Sequence, residues 1–522
     1  MKEHKNTRLL PVGMQSFEKI RRGGYVYVDK TDFVWKIANE KQNNFLSRPR
    51  RFGKSLLTST LKCYFEGKRD LFEGLKIMDL EKEWKPCQVF HFDFSGKNNG
   101  EQLKSHLEGK ILDYEDLLGK SNYTNLNDRL VELMKKGAAK YAAPVAVLVD
   151  EYDAPLQHTL FDKEEHDRVR DVYTSFFPAL KTGEDYLNCL FLTGITKFTQ
   201  LSIFSTLNNV SFLGSWPDYA TVCGITREEI EEYFMPELEN ISKTRNIAVE
   251  DVLDELQAMY DGYHFTSELD KGVYNPYSLV NALDRGRISN YWASSGGSSL
   301  LSQMLEHTQV NGDELDGMIM DAETLENADV NTSNIPLFLY QTGYLTIKDY
   351  DDGDYTLGFP NEEVKRALFK IVLPNALDKQ EGDFDNSIGR MRRALKEGNV
   401  QEAMNNLQQL VSETPYAMKG DKKLEERFRF IIKNSLFLCG CRVEEEKQMA
   451  TGQIDLVAHF RNIIMVMELK LDNNGGVEAA KQQIADRKYT SAYSAENKNV
   501  YAIAISFSTE DKGITHISIE KA

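Results

Sequence analysis

The sequence predicts an α/β protein with two separate α/β units joined by mainly helical chain. Three observations carry this expectation. Between Asn43 and Asn209, short β-rich runs alternate with longer helical patterns, the rhythm of a mostly parallel sheet with helices on its faces. Val145 to Val149 is continuously apolar, as a strand buried on both faces requires. The same alternation then restarts beyond Leu424. At 522 residues the chain also exceeds the ~250–300 at which a single core stops growing, so more than one domain is expected.

In the first unit the expected strands are Phe45 to Ser47, Gln88 to Phe94, Val145 to Val149 and Leu190 to Thr193. Helical patterns lie between them at Leu56 to Phe65, Leu103 to Leu118 and Arg168 to Leu180. Past Gly224, Thr226-Arg-Glu-Glu229 reads as a capping box opening a helix, followed by a helical pattern from Val252 to Tyr260. Tyr344 to Lys348, the turn Asp351-Asp-Gly-Asp354, and Tyr355 to Leu357 read as a hairpin. The second unit reads as helix Leu424 to Leu436, strand Ile454 to Phe460, a turn at Arg461-Asn462, strand Ile463 to Lys470, helix Val477 to Tyr489 and strand Val500 to Ser506. The expected division is 1–225, 226–300 as a helical lid, 301–409 as a mixed and mainly helical connector, and 410–522.

The net charge of -17 disfavours a surface that binds nucleic acid throughout, so any polyanion site must be local. The six cysteines show no CxxC pair and no zinc spacing, which suits free thiols in a reducing cytoplasm. The N-terminal segment lacks a signal-peptide apolar stretch, and no apolar run approaches the ~20 residues that span a bilayer. A cytoplasmic protein without a membrane segment is the expectation.

A phosphate-binding loop needs a strand, inward-facing backbone amides, a lysine for the terminal phosphates and a hydroxyl for a metal ion. Residues 45 to 55 supply that order: Arg50, Arg51, Phe52 and Gly53 form the loop, Lys54 neutralises phosphate, and Ser55 ligates the ion ahead of a helix N-terminus. The first glycine of the usual motif is replaced by Arg48, so the turn must be built differently. Gly53-Lys54-Ser55 alone would serve equally well as an ordinary helix start. Ala146-Val-Leu-Val-Asp150-Glu151 tips the balance: it is an apolar strand ending in two acids, Asp150 for the metal and Glu151 to orient attacking water. After Leu190-Phe-Leu, Thr193, Thr196 and Lys197 are candidates for sensing the terminal phosphate, with turn chemistry as their plain alternative.

Ser47-Arg-Pro-Arg-Arg-Phe-Gly-Lys-Ser55, Val149-Asp-Glu-Tyr-Asp153, Thr193-Gly-Ile-Thr-Lys197, Tyr260-Asp-Gly-Tyr263, Tyr274-Asn-Pro-Tyr277, Tyr340-Gln-Thr-Gly-Tyr344 and Phe359-Pro-Asn361 together resemble the bacterial AAA-ATPase-like family fused to a PD-(D/E)XK nuclease-like domain. The resemblance spans nearly the whole chain. It implies an AAA-like P-loop NTPase core in which the sensor strand lies between the P-loop strand and the acid-bearing strand, then a helical lid and a restriction-endonuclease-like α/β domain. ATP and Mg2+ are the implied cofactors.

Nucleases of that superfamily use an Asp on one strand and Glu-x-Lys on the next, because metal catalysis needs carboxylates and a cation beside the attacking water. Asp455, Glu468 and Lys470 fit, and strand alternation puts Glu468 and Lys470 on one face. Glu426 is the candidate helix-borne metal ligand, Gln483 matches the superfamily's helix glutamine, and Lys488 and Tyr489 are candidate phosphate contacts. Gln453 stands where the family usually has Arg. On its own the D…ExK pattern is more often an exposed salt bridge than a catalytic site.

The expected function is ATP binding and hydrolysis, with a Mg-dependent nuclease-like domain that acts on or binds DNA. The alternative is a nucleotide-dependent regulatory or remodelling ATPase whose C-terminal domain only recognises a partner. A homo-oligomer is a further candidate assembly.

Overall fold

In the computed structural model, residues 8–40, 42–198, 210–292, 298–307, 315–327, 334–377, 379–412, 421–449, 452–493, 497–508 and 513–522 are described. They divide into two compact units, Met1–Met304 with Glu314–Lys365, and Leu305–Asp313 with Arg366–Ala522.

In the first unit the strands are β1 (Asn43–Ser47), β2 (Val89–Asp93), β3 (Val145–Asp150), β4 (Leu187–Gly194) and β5 (Ser211–Phe212). They make one sheet in the order β2-β3-β4-β1-β5, and every pairing is parallel. All residues of β3 are buried, as its unbroken apolar composition requires of a central parallel strand. β4 lies between β1 and β3, with Leu46 opposite Thr193 and Val149 opposite Leu192. The functional ends of these strands therefore emerge side by side, at the edge where ligands bind in open α/β sheets.

Helices α1 (Lys54–Phe65), α2 (Gly100–Leu118), α3 (Leu126–Tyr141), α4 (Ala154–His158) and α5 (Lys163–Phe176) connect these strands. Leu103, Leu107 and Ile111 of α2 pack with Leu130 and Leu133 of α3, and with Val169, Tyr173 and Phe176 of α5, in one buried core that includes Phe92 and Val147. Each such side chain contributes ~1.5–3 kcal/mol by leaving water. The single helix expected over Arg168 to Leu180 breaks after Phe176, because Pro178 has no N–H to continue the ladder and opens a separate short turn to Thr182.

A second core of the same unit joins α6 (Arg227–Arg245), α7 (Val249–Tyr260) and α8 (Pro276–Arg285) through Ile230, Leu238, Leu256 and Leu279. α6 opens on the expected capping box: Thr226 accepts from the Glu229 amide, and Glu229 accepts from the Thr226 amide. After α9 (Ser298–His307) come β6 (Met318–Asp321), α10 (Ala322–Asn327), α11 (Ile335–Thr342), β7 (Thr346–Asp351) and β8 (Asp354–Gly358). β7 and β8 form the expected hairpin, and the antiparallel sheet runs β6-β8-β7.

α12 (Glu362–Ala376) crosses the division of the chain. The second unit continues with α13 (Glu381–Lys396), α14 (Val400–Ser412) and α15 (Asp421–Cys439), then β9 (Arg442–Met449), β10 (Gly452–Phe460), β11 (Ile463–Leu471), α16 (Gly476–Asp486), β12 (Asn499–Phe507) and β13 (Ile514–Lys521). Its sheet runs β13-β12-β11-β10-β9, and β11 and β12 are the parallel pair. α16 is their crossover and buries Ala480 and Ile484 against Ile454, Ile464 and Val466. It is shorter than the expected helix to Tyr489, because Lys488 takes a left-handed conformation and Tyr489 begins a separate turn. Among the described residues no helix is long and apolar enough to cross a membrane.

Candidate functional sites

The loop after β1 is held by its own side chains. Arg48 is buried and donates to the carbonyls of Ser47, Gly214 and Tyr219, while its guanidinium lies 4.1 Å from the centre of the Phe265 ring. Burial pulls its pKa down to about 10, so it remains a cation in neutral solution. Here a buried arginine builds the turn that a glycine opens in the usual motif. Phe52 is also buried, edge-on to Tyr263 and Phe265 at 4.7 and 5.6 Å between ring centres. It anchors the loop by its ring.

Gly53 follows with φ +93, a conformation that costs other residues strain, and α1 begins at Lys54. The Lys54 side chain is buried and its ammonium donates to the carbonyls of Arg48 and Pro49 at 2.8 and 3.0 Å. Burial lowers its pKa, opposed by the nearby charges of Asp153, Asp150 and Glu151. Arg50 donates to Gln157 at 3.3 Å, and exposed Arg51 places its guanidinium 4.7 Å over the Tyr277 ring.

These residues border a cavity of about 500 Å³ that also takes in Ser55 and Glu151. Its lining also includes the apolar Ile20, Val26, Ile225, Phe234 and Val280. Asp150 is buried and accepts from the Glu151 amide at 3.1 Å and from the Thr193 hydroxyl at 2.8 Å. Glu151 itself has φ +51, a strained conformation for a residue with a side chain, of the kind concentrated at active sites. Burial raises its pKa, reinforced by the Asp150 charge and opposed by Lys54.

Asp153 was not among the residues expected to serve the site, yet it fixes the loop after β4. Its Oδ2 accepts from the amides of Ile195 and Thr196, the Thr196 hydroxyl and the Gln157 amide, at 2.6 to 2.9 Å. Asp153 stands in the run Val149-Asp-Glu-Tyr-Asp153, but nothing in that spacing points to amides 42 and 43 residues away. Thr196 is thus spent on Asp153, and the Lys197 ammonium lies 3.7 Å over the Phe212 ring, beside the loop rather than in the cavity.

In the second unit, Asp455 on β10 accepts the Leu469 amide at 2.8 Å, which sets its carboxylate beside Glu468 on β11. Lys470 donates to Oε1 of Glu468 at 2.9 Å, while Oε2 of that fully buried side chain has no partner. Burial and the Asp455 charge push the Glu468 carboxyl up to about 7, against Lys470. Burial alone would lower the Lys470 pKa, but its hydrogen bond to Glu468 and the neighbouring acids raise it.

On α15 the sequence pointed to Glu426, which is exposed. Glu425 is the half-buried carboxylate that faces this cluster: burial raises its pKa, the Asp455 charge adds to that, and Lys470 opposes it. Tyr489, expected as a phosphate contact, is buried and gives its hydroxyl to the Gln453 carbonyl, while Lys488 is exposed. Gln483 is half-buried on α16. Among the described residues no three His, Cys, Asp or Glu side chains converge tightly enough to enclose a metal ion.

Residues 11–204 match a family model described as a predicted AAA-ATPase, and residues 423–517 match the PD-(D/E)XK nuclease superfamily. The chain joins an AAA-ATPase-like domain to a PD-(D/E)XK nuclease-superfamily domain. The first match contains β1 to β4 with the cavity loop and the acid pair, and the second contains Asp455, Glu468 and Lys470. An "Uncharacterized protein in vnfD 5'region" of Azotobacter chroococcum mcd 1 is 28% identical over 528 residues, covering 98% of each chain. A solved structure of the Aeropyrum pernix ORC2 protein, in ADPNP-ADP complexes, aligns over 72% of this chain and 97% of its own at 12% identity. Its TM-score of 0.25 gives that likeness no weight.

Proposed function

We propose that the AAA-ATPase-like domain binds and hydrolyses ATP, and that the nuclease-superfamily domain cleaves DNA with a divalent metal, Mg2+ by the oxygen-only donor set. The observation that carries this reading is the convergence of Gly53, Lys54, Ser55 and Glu151 on one cavity, with Glu151 directly following an Asp150 oriented by Thr193. The donor set fits a triphosphate and its ion: the first amides of α1 and the Lys54 ammonium supply positive charge, and Ser55 with Asp150 supplies oxygen ligands. The apolar part of the lining suits a nucleobase.

Glu151 borders the cavity with a raised pKa, which fits it to take a proton from attacking water. In the second domain the orphaned Oε2 of Glu468 and the adjacent Asp455 fit a cation, with Glu425 on the same side. When bound, a divalent ion supplies Lewis-acid charge and a more acidic water. Lys470 would hold Glu468 in place and add positive charge beside a phosphate. The domain boundaries that best serve this reading are 1–225, 226–300, 301–409 and 410–522, with a cytoplasmic protein acting on intracellular DNA.

The test is to incubate the full chain with ATP and with DNA in the presence of Mg2+. Wild type should release phosphate and cut DNA, and Asp455→Ala should keep the first activity and lose the second. Equal DNA cleavage by both proteins would end the nuclease assignment.

A second reading, a regulatory or remodelling ATPase whose C-terminal domain only binds a partner, is favoured by Gln453 in the place of the family's Arg and by the absence of a tight three-ligand group among the described residues. It predicts ATP turnover without cleavage, and cellular function that survives Glu468→Ala.

A further inference from the structure

The segment from α9 to β8 has an order that neither match covers. Among the described residues a helix, a strand, two helices and a hairpin come in that order, and the first strand pairs with the last in the sheet β6-β8-β7. This is the topology of a winged helix. Two features turn it away from nucleic acid. Ile335, Leu337, Phe338 and Leu339 are buried, so α11, in the place of a recognition helix, is spent on packing. The hairpin tip carries exposed Asp349, Asp351, Asp352 and Asp354, which a phosphate backbone repels.

The end of α11 instead meets the nucleotide site. Oε1 of Gln341 accepts the backbone amide of Lys197 at 2.9 Å, in the loop whose other amides donate to Asp153 and whose Thr193 orients Asp150. Two residues on, Gly343 has φ +88, and a Cβ there would stand 2.6 Å from the Pro49 ring, so only glycine permits this approach to the phosphate-binding loop. The Gly343 carbonyl accepts the hydroxyl of Tyr263, the ring on which Phe52 rests. One short stretch of chain thus touches both the loop after β1, through Pro49, and the loop after β4, through Lys197.

We propose that Gln341 is a positioning residue for ATP hydrolysis, and that the winged-helix-like module is an in-cis clamp on the nucleotide site. The proposal rests on the reading that this site hydrolyses ATP. Gln341 touches no reacting atom; it accepts the Lys197 amide of the loop whose Ile195 and Thr196 amides Asp153 accepts, and so holds that loop in register with Asp150. Its loss loosens the geometry of the hydrolytic step while the loop and amides that grip the nucleotide stay in place.

The experiment measures steady-state ATP turnover, affinity for a fluorescent ATP analogue and melting temperature for the intact wild type, Gln341→Ala and Gln341→Glu. Glutamate keeps the acceptor oxygen and alanine removes it. The expected result is a kcat about tenfold lower for alanine, a misplacement effect, with analogue affinity within about twofold and a largely unchanged melting temperature. Glutamate should restore kcat to within about threefold of wild type. Wild-type turnover by Gln341→Ala, equal losses in both variants, or a parallel loss of kcat and affinity would overturn it. A wild type that hydrolyses no ATP removes the ATPase reading itself, and that control separates the two failures.

Discussion

The hydroxyl of Thr193 donates to Asp150 across 2.8 Å, tying the end of β4 to the end of β3 directly before Glu151. If Asp150 holds the nucleotide's metal ion, this bond aims its carboxylate. Thr193→Val should lower ATP turnover about tenfold with little loss of nucleotide affinity, since the bond orients rather than grips. Thr193→Ser, which keeps the hydroxyl, should stay near wild type. Steady-state kinetics on the three proteins decides it, and an unchanged kcat for the valine variant counts against the assignment.

Glu151 should separate binding from chemistry. Glu151→Gln removes the base but keeps the size of the side chain, so nucleotide should still bind while turnover falls by at least about a hundredfold. Single-turnover assays alongside equilibrium binding would show the split. A parallel loss of both would place Glu151 in the grip rather than in the reaction.

Glu468 gives the second domain a pH dependence of definite sign. Its carboxyl is pushed up to about 7 in the folded protein, above its ordinary range. Between that ordinary range and about 7 the folded state therefore holds the proton more tightly than the unfolded chain, and this group's contribution to stability falls as pH rises through the window. A metal ion competes with that proton, so the stabilisation that Mg2+ or Mn2+ confers should be small at pH 6 and grow toward pH 8. Thermal melts with and without metal at both pH values measure it, and a metal effect that is flat in pH, or lost only with Lys470, contradicts the account.

The two neighbouring acids of α15 should behave differently. Glu425→Gln should weaken metal-dependent stabilisation, and DNA cleavage where present, by roughly ten- to a hundredfold in metal affinity. Glu426→Gln should be silent, and the reverse pattern would mean that the helix is rotated relative to the cluster.

Arg48 should be a pillar of the fold. Arg48→Ala removes a donor from three carbonyls and empties the place beside Phe265, which should cost about 2–4 kcal/mol in urea unfolding. A variant as stable as wild type would show that the loop turn stands without it.

Much of this architecture was legible because the strong signals are local. Val145 to Val149 could hardly be anything but a buried strand, and the D…ExK residues lie on strands whose alternation fixes their faces. What escaped was set by tertiary context. β9 is an edge strand of sequence Arg-Val-Glu-Glu-Glu-Lys-Gln-Met, whose charges guard an open edge and erase the apolar period that would reveal it. Glu425 and Glu426 differ by one helical step, and only the phase of α15 chooses between them: Glu425 shares a face with buried Phe428 and Ile432. Asp153 and Gln341 act on backbone amides far away in sequence, a role that no residue spacing announces.

The account stands most directly on a calorimetric titration of the intact chain with ATP and Mg2+, repeated with Lys54→Ala. It predicts saturable uptake of one nucleotide per chain by the wild type and no measurable heat from the variant. Absence of uptake by the wild type, or equal uptake by both proteins, would contradict it.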